Sequence, residues 1–259
     1  MSSPDDSSML EKLVFPPDMV AKYPVLQKFN DGERTFWKGG REQALLAYIK
    51  SHPDFNTMKG NPKKIIQAID HFGCNEQLLI TIGRDKGRVM ADLIREHKPR
   101  TMVELGGYVG YSAIFFADEL RSACPGQRVH YWSLELHSEF AEIARELIEI
   151  AGLSDIVTVV VGFSSDSLRQ LKKDGQLDQI DVLYLDHNEG ELYVKDTSLG
   201  EELALFRPGS HIVADNCLIP GAPAYRAYVR GNAKFESKGV KGLTIPGELE
   251  DELEVTTVL

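Results

Sequence analysis

The sequence predicts an α/β fold, a doubly wound sheet of seven strands, mostly parallel, with an antiparallel last strand. Three observations carry this. Past residue 100, short apolar runs alternate with segments of helical period. One run leads into a glycine-rich turn and a helix start, Met102-Val103-Glu104-Leu105-Gly106-Gly107-Tyr108-Val109-Gly110-Tyr111-Ser112. The last two strand-like segments, 235–240 and 253–258, have a Pro246-Gly247 loop and no helix between them, so they pair antiparallel.

Residues 1–8 are polar and acidic and are predicted to be disordered. From 10 to 60 the pattern is helical but broken by Pro16, Pro17, Pro24 and Gly39-Gly40. It resumes over 41–50, where Leu45, Leu46 and Ile49 share a face. Residues 1–60 therefore read as a tail and helical extension, and 61–259 as the main domain. The extension is expected to cover a pocket, to make an oligomer contact such as a homodimer, or to be merely structural.

Helices are predicted over 63–72 and 86–97, the second with Val89, Met90, Leu93 and Ile94 on one face and Pro99 as its stop. Then strand and helix alternate. Strands are expected at 101–105, 129–134, 157–161, 181–185 and 210–214. Helices are expected at 111–120, 139–150, 165–171, 195–205 and 223–230. Residues 157–161 are so rich in valine that burial on both faces is expected.

Of the 259 residues, 39 are acidic and 29 basic, a formal net charge of −10. That argues against general nucleic-acid binding. No run of about 18 apolar residues exists, so no membrane span is expected. Cys74, Cys124 and Cys217 are odd in number and widely spaced, unlike a disulfide frame or a zinc site. A reducing, cytoplasmic setting is the expectation.

Ligands of parallel sheets sit beyond the carboxyl ends of the strands. Glu104, Glu135, Asp186 and Asp215-Asn216 all fall at strand ends, so all should line one edge. Glycines at 106, 107 and 110 let backbone N–H groups approach a ligand closely. Glu135 is placed to accept hydrogen bonds from ribose hydroxyls, which suits NAD or S-adenosylmethionine. Against NAD stand a Gly-Gly-Tyr-Val-Gly pattern that is not G-x-G-x-x-G, and Glu104, which would repel a pyrophosphate. The cationic sulfonium and ammonium of S-adenosylmethionine suit an acidic turn. A dinucleotide-dependent oxidoreductase would also need a catalytic Tyr-x-x-x-Lys, which is absent. Asp186, Asp215 and Asn216 supply hard oxygen donors for magnesium or another divalent cation. No His/Cys set has zinc spacing.

Together Glu104 to Ser112, Asp186-His187, Ala214-Asp215-Asn216 and Pro220-Gly-Ala-Pro223 with Tyr228-Val-Arg230-Gly231 resemble catechol O-methyltransferase and its fungal-type relatives. The resemblance runs from Gly83-Arg-Asp-Lys-Gly87 to Phe235. It implies the Rossmann-like fold of S-adenosylmethionine-dependent methyltransferases and methyl transfer to a hydroxyl of a small, aromatic or catechol acceptor held on a divalent metal. By position, Glu104, Gly106, Tyr108 and Ser112 would line the amino-acid end of the donor, with Ile82 beside it. Glu135 would hold the ribose, and Ser164, Asp186 and His187 would lie near the adenine and sulfonium. Asp186, Asp215 and Asn216 would bind the metal. Asn188, Asn216 and Pro220 would face the acceptor.

One departure matters. The family has Asp-His-x-Lys, its lysine taking the acceptor's proton, whereas this chain reads Asp186-His187-Asn188-Glu189. Glu189 stands at the lysine position and Asn188 where an aromatic wall residue is usual. Lys195 is the nearest lysine. Three outcomes stay open: an active enzyme with Glu189 as a weak base or none needed, a methyltransferase with a non-catechol acceptor, and a donor-binding homologue that has lost transfer. His52, His71, His97, His130, His137 and His211 are read as structural or solvated, and the acidic run 248–254 as a solvated loop.

Overall fold

The structure is a computed structural model that describes residues 13–33, 37–187 and 190–259. The tail over 1–8, Asn188 and Glu189 lie outside the described residues. The strands are β1 (Thr101–Leu105), β2 (His130–Glu135), β3 (Val157–Val161), β4 (Val182–Leu185), β5 (His211–Ala214), β6 (Phe235–Thr244) and β7 (Leu249–Val258). They form one sheet in the order β3-β2-β1-β4-β5-β7-β6. The first five run parallel, and β7 is antiparallel to both of its neighbours. The chain leaves β1 outward towards β2 and β3, then returns to lay β4 on β1's other side. Connections therefore diverge above the carboxyl ends of β1 and β4, which opens a crevice there.

Alternation along each strand builds a core on both faces. Met102, Tyr131, Tyr184 and Val213 enter one cluster. Val103, Leu105, Leu134, Leu183, Leu185, Ile212 and Ala214 enter the other. Glu104, between Val103 and Leu105, thus projects to the face that carries Tyr131 and Tyr184.

The described α-helices are α1 (Pro17–Lys22), α2 (Leu26–Asn30), α3 (Arg41–Ser51), α4 (Phe55–Met58), α5 (Pro62–Asn75), α6 (Gly83–His97), α7 (Tyr111–Ala123), α8 (Ser138–Ala151), α9 (Ser164–Lys173), α10 (Gly190–Glu202) and α11 (Pro223–Gly231). Leu45 and Ile49 of α3 join the main core. Phe15, Tyr23, Val25, Leu26 and Phe29 form a separate apolar cluster against Cys74, Leu78, Ile245 and Leu249. The N-terminal helices are thereby fastened to the loop between β6 and β7.

Three expectations need correction. The valine-rich β3 is an edge strand, not one buried on both faces, and Val161 is 41% exposed at its end. The helix expected over 195–205 runs instead from Gly190 to Glu202. It closes because Ala204 adopts a left-handed φ of 50° while Leu205 N–H returns to the Gly200 carbonyl at 2.9 Å. This terminating turn usually carries glycine, so an alanine there gave no stop signal. Finally, most of the acidic run 248–254 lies in β7 rather than in a solvated loop, and Asp251 and Glu254 are fully buried.

Candidate active site

The glycine turn sits against the end of β4. Gly106 has φ 98°, and a Cβ there would lie 2.5 Å from the carbonyl oxygen of Asp186. Only glycine, which lacks that Cβ, lets the two strand ends pack this closely. Glu104 lies beneath the turn and is fully buried. It accepts hydrogen bonds from Tyr131 Oη at 2.6 Å and Ser133 Oγ at 2.5 Å, and Ser112 also donates to it. Burial nevertheless outweighs these donors and pushes its carboxyl up to about 7.

Glu135 ends β2 beside this turn. One oxygen accepts the Tyr108 N–H at 2.7 Å and the other the His137 N–H at 2.8 Å. Burial raises its carboxyl as well. The Gly107 N–H also acts on this carboxylate, which keeps acceptor capacity for a further donor. Tyr108 is in the left-handed region, with φ 43°, and its phenol donates to buried Glu42 of α3 at 2.7 Å. Trp37 meets His137 edge-on, with ring centroids 6.4 Å apart. The N-terminal extension therefore reaches the sheet edge beside Glu135. Leu136, Val161 and Phe163, which follow or end β2 and β3, are exposed apolar side chains, a suitable surface for a flat heteroaromatic ring.

The second set of acids converges on one hydroxyl. Tyr184 Oη lies 3.0 Å from Asp186 Oδ2 and 3.1 Å from Asp215 Oδ2. Burial, then Asp215, holds the Asp186 carboxyl well above the usual carboxylate range. Lys86 Nζ of α6 lies 2.5 Å from Asp215 Oδ1 and 2.6 Å from Asp251 Oδ2. Asn216, with φ 56°, donates its Nδ2 to Asp251 Oδ2 at 3.2 Å. Its carboxamide oxygen is then the atom left for a ligand.

Among the described residues, no group of three or more His, Cys, Asp or Glu side chains is arranged to hold a metal ion. The expected donors are of another kind, two carboxylates and an amide oxygen. Their charge balance fits a dication: Asp186, Asp215 and Asp251 against Lys86 alone leave two negative charges uncompensated when ionised. Asp186 and Asn216 are partly exposed, so the cluster opens to solvent on that side.

The remaining expected residues are distributed as follows. His187 Nε2 is 2.5 Å from Asp196 Oδ2, its ring stacks on Tyr193, and its Nδ1 is buried with no hydrogen-bond partner among the described residues. A buried orphan nitrogen at the crevice is the kind of group a ligand satisfies. Ile82 is buried at the start of α6, and Ser164 opens α9, half-buried. Pro220 is exposed, near exposed Leu218. Lys195 is exposed on α10, while its neighbour Asp196 turns inward.

Sequence reasoning passed over Lys86, Tyr184, Asp251 and Glu42. One signal was available for Asp251: alternation from buried Leu253 puts residue 251 on the same, inward face.

A family model described as O-methyltransferase matches residues 62–228. Catechol O-methyltransferase of Mus musculus is 37% identical over 198 residues, 76% of this chain and 71% of the relative. That of Bos taurus is 36% identical over 214 residues, 83% of this chain and 75% of the relative. A Bacillus cereus O-methyltransferase, solved in complex with SAH, superposes with a TM-score of 0.60 at 19% identity, covering 93% of this chain and all of that one. No helix among the described residues is long and apolar enough to cross a membrane.

Proposed function

The chain belongs to the O-methyltransferase family, of the catechol O-methyltransferase type, and on that premise we propose that it transfers the methyl group of S-adenosylmethionine to a hydroxyl of a small aromatic acceptor, such as a catechol, beside a divalent cation. The observation that carries this is the apposition of the Gly106 turn, packed directly on the Asp186 backbone, and the Asp186–Asp215 pair at the carboxyl ends of β4 and β5. Donor side and acid side share one sheet edge.

Bound S-adenosylmethionine supplies an electrophilic methyl group, and a divalent cation, when bound, supplies the Lewis acidity that favours an ionised acceptor hydroxyl. The chain's own residues do the positioning. Glu104 offers its carboxylate, already supported by three hydroxyls, to the donor's ammonium. Glu135 offers the acceptor capacity left after its backbone bonds from Gly107, Tyr108 and His137 to the ribose hydroxyls. Leu136 and Phe163 shield the adenine. Asp186, Asp215 and the Asn216 carboxamide oxygen would hold the cation, and Tyr184 keeps the two carboxylates facing each other. Fixing donor and acceptor in one geometry removes most of the entropic barrier. Lys195 is too exposed on α10 to favour it as the proton acceptor, and Glu189 keeps that assignment from the sequence.

A second possibility rests on a specific feature. Asn188 and Glu189 stand where the resemblance calls for an aromatic wall and a lysine, which supports an altered acceptor or lost transfer. Incubation with methyl-labelled S-adenosylmethionine and a panel of catechols, with magnesium or with chelator, decides between them. Magnesium-dependent label on a catechol is the expected result. Donor binding with no labelled product from any acceptor would establish the second possibility.

A further inference from the structure

We infer that Asp251 is a positioning residue that sets which atom of Asn216 faces the proposed cation site. The inference rests on the divalent-cation proposal above.

Asp251 stands on β7, is fully buried, and accepts hydrogen bonds from four donors. The duties of its two oxygens are separate. Oδ1 accepts the backbone N–H groups of Leu218 and Ile219, at 3.0 and 3.2 Å. These lie just past Asn216, on the way to Pro220. Oδ2 accepts Lys86 Nζ at 2.6 Å and Asn216 Nδ2 at 3.2 Å. A carboxylate can only accept, so the carboxamide must present its NH2 to Asp251 and its oxygen to the other side. Asn216 Oδ1 thus becomes available as an oxygen donor beside Asp215. Hydrogen-bonded outer partners fix ligand orientation in this way, and their loss typically weakens metal affinity about 10- to 100-fold. Lys86 bridges the arrangement, since the same ammonium bonds Asp251 Oδ2 and Asp215 Oδ1. It thereby restrains one proposed ligand, Asp215, directly and another, Asn216, through Asp251.

Asp251→Asn is nearly isosteric. Its oxygen can still serve Leu218 and Ile219, while its new NH2 faces Lys86 and the Asn216 NH2. Asn216 then gains by turning its oxygen to the new donor, which removes that oxygen from the cation site.

The test is titration of the full chain with Mn2+, followed by electron paramagnetic resonance, alongside calorimetric binding of S-adenosylhomocysteine. The expected result is that Asp251→Asn weakens Mn2+ binding about tenfold or more, with S-adenosylhomocysteine affinity changed less than about twofold. A general structural defect would lower both. Should Asp251→Asn fail to fold, the Lys86→Met/Asp251→Asn double variant removes both ends of the buried pair and leaves the charge of the cluster unchanged. The same selective loss of Mn2+ affinity is expected of it. Mn2+ affinity unchanged in a folded variant overturns the inference. Absence of Mn2+ binding in the unaltered chain overturns the cation proposal and the inference with it.

Discussion

Lys86, in the first turn of α6, meets Asp251, on the last strand, at 2.6 Å, with side chains 2% and 0% exposed. The pair joins segments 165 residues apart. It ties the helix that precedes the sheet to the strand that completes it, directly behind the acids of the crevice. Desolvation makes such a pair costly to break from one side only.

Lys86→Met should therefore destabilise the protein by about 3–5 kcal/mol, because Asp215 and Asp251 are left buried without their shared cation. Lys86→Met combined with Asp251→Asn should recover part of that loss. Urea unfolding of the two single variants and the double variant gives the coupling directly.

Glu104 should couple donor binding to pH. Its folded carboxyl, raised by burial to about 7, lies above the ordinary glutamate value of 4.5 that holds in the unfolded chain. A carboxyl raised on folding contributes stability that is complete below the unfolded value and is lost as pH rises through the folded one. The donor-free protein should thus lose about 3 kcal/mol between pH 4.5 and pH 8 from this group. Glu104→Gln should flatten that slope in denaturant titrations at pH 5 and pH 8. At pH 8 it should also weaken S-adenosylhomocysteine binding by roughly 10- to 100-fold, the scale of one lost charged hydrogen bond.

How much of this was legible before folding follows from the range of each signal. Local signals carried the Gly106 turn, the strand-end acids and the positions of the parallel strands along the chain. Glu104, Glu135, Asp186 and Asp215 could be placed on one edge because parallel strands end on one side. Partnerships between distant segments left no local trace. Lys86 looked like any polar position of an amphipathic helix, and Tyr184 like any apolar position of a strand. Asp251 was hidden among acids whose density suggested solvent, although its buried neighbour Leu253 shares its face. The Ala204 turn was missed because a left-handed alanine resembles a helix residue in composition.

Gly106→Ala should cost roughly 2 kcal/mol or more, combining a left-handed backbone with a Cβ 2.5 Å from the Asp186 carbonyl oxygen. Gly126→Ala is the control, since φ is 73° there but nothing lies within 4 Å of the added atom. Thermal melts should show the larger drop for Gly106→Ala, and calorimetry should show donor binding impaired in that variant alone.

Phe29→Ala should loosen the N-terminal helices from the β6–β7 loop. Phe29 is 3% exposed and packs edge-on against Phe15, with centroids 5.3 Å apart. Removing a buried phenylalanine costs about 3–5 kcal/mol, enough to free the small cluster while the sheet stays folded. Limited proteolysis should then cut faster within residues 13–33, with little change in the denaturant midpoint of the remaining domain.

The most direct measurement is a crystal soaked with S-adenosylhomocysteine and Mn2+, with data collected at the manganese edge. An anomalous peak is expected among the side-chain oxygens of Asp186, Asp215 and Asn216, with the nucleoside against Glu135. A peak elsewhere, or none at saturating Mn2+ with the nucleoside in place, would contradict the pairing of donor and cation at this sheet edge.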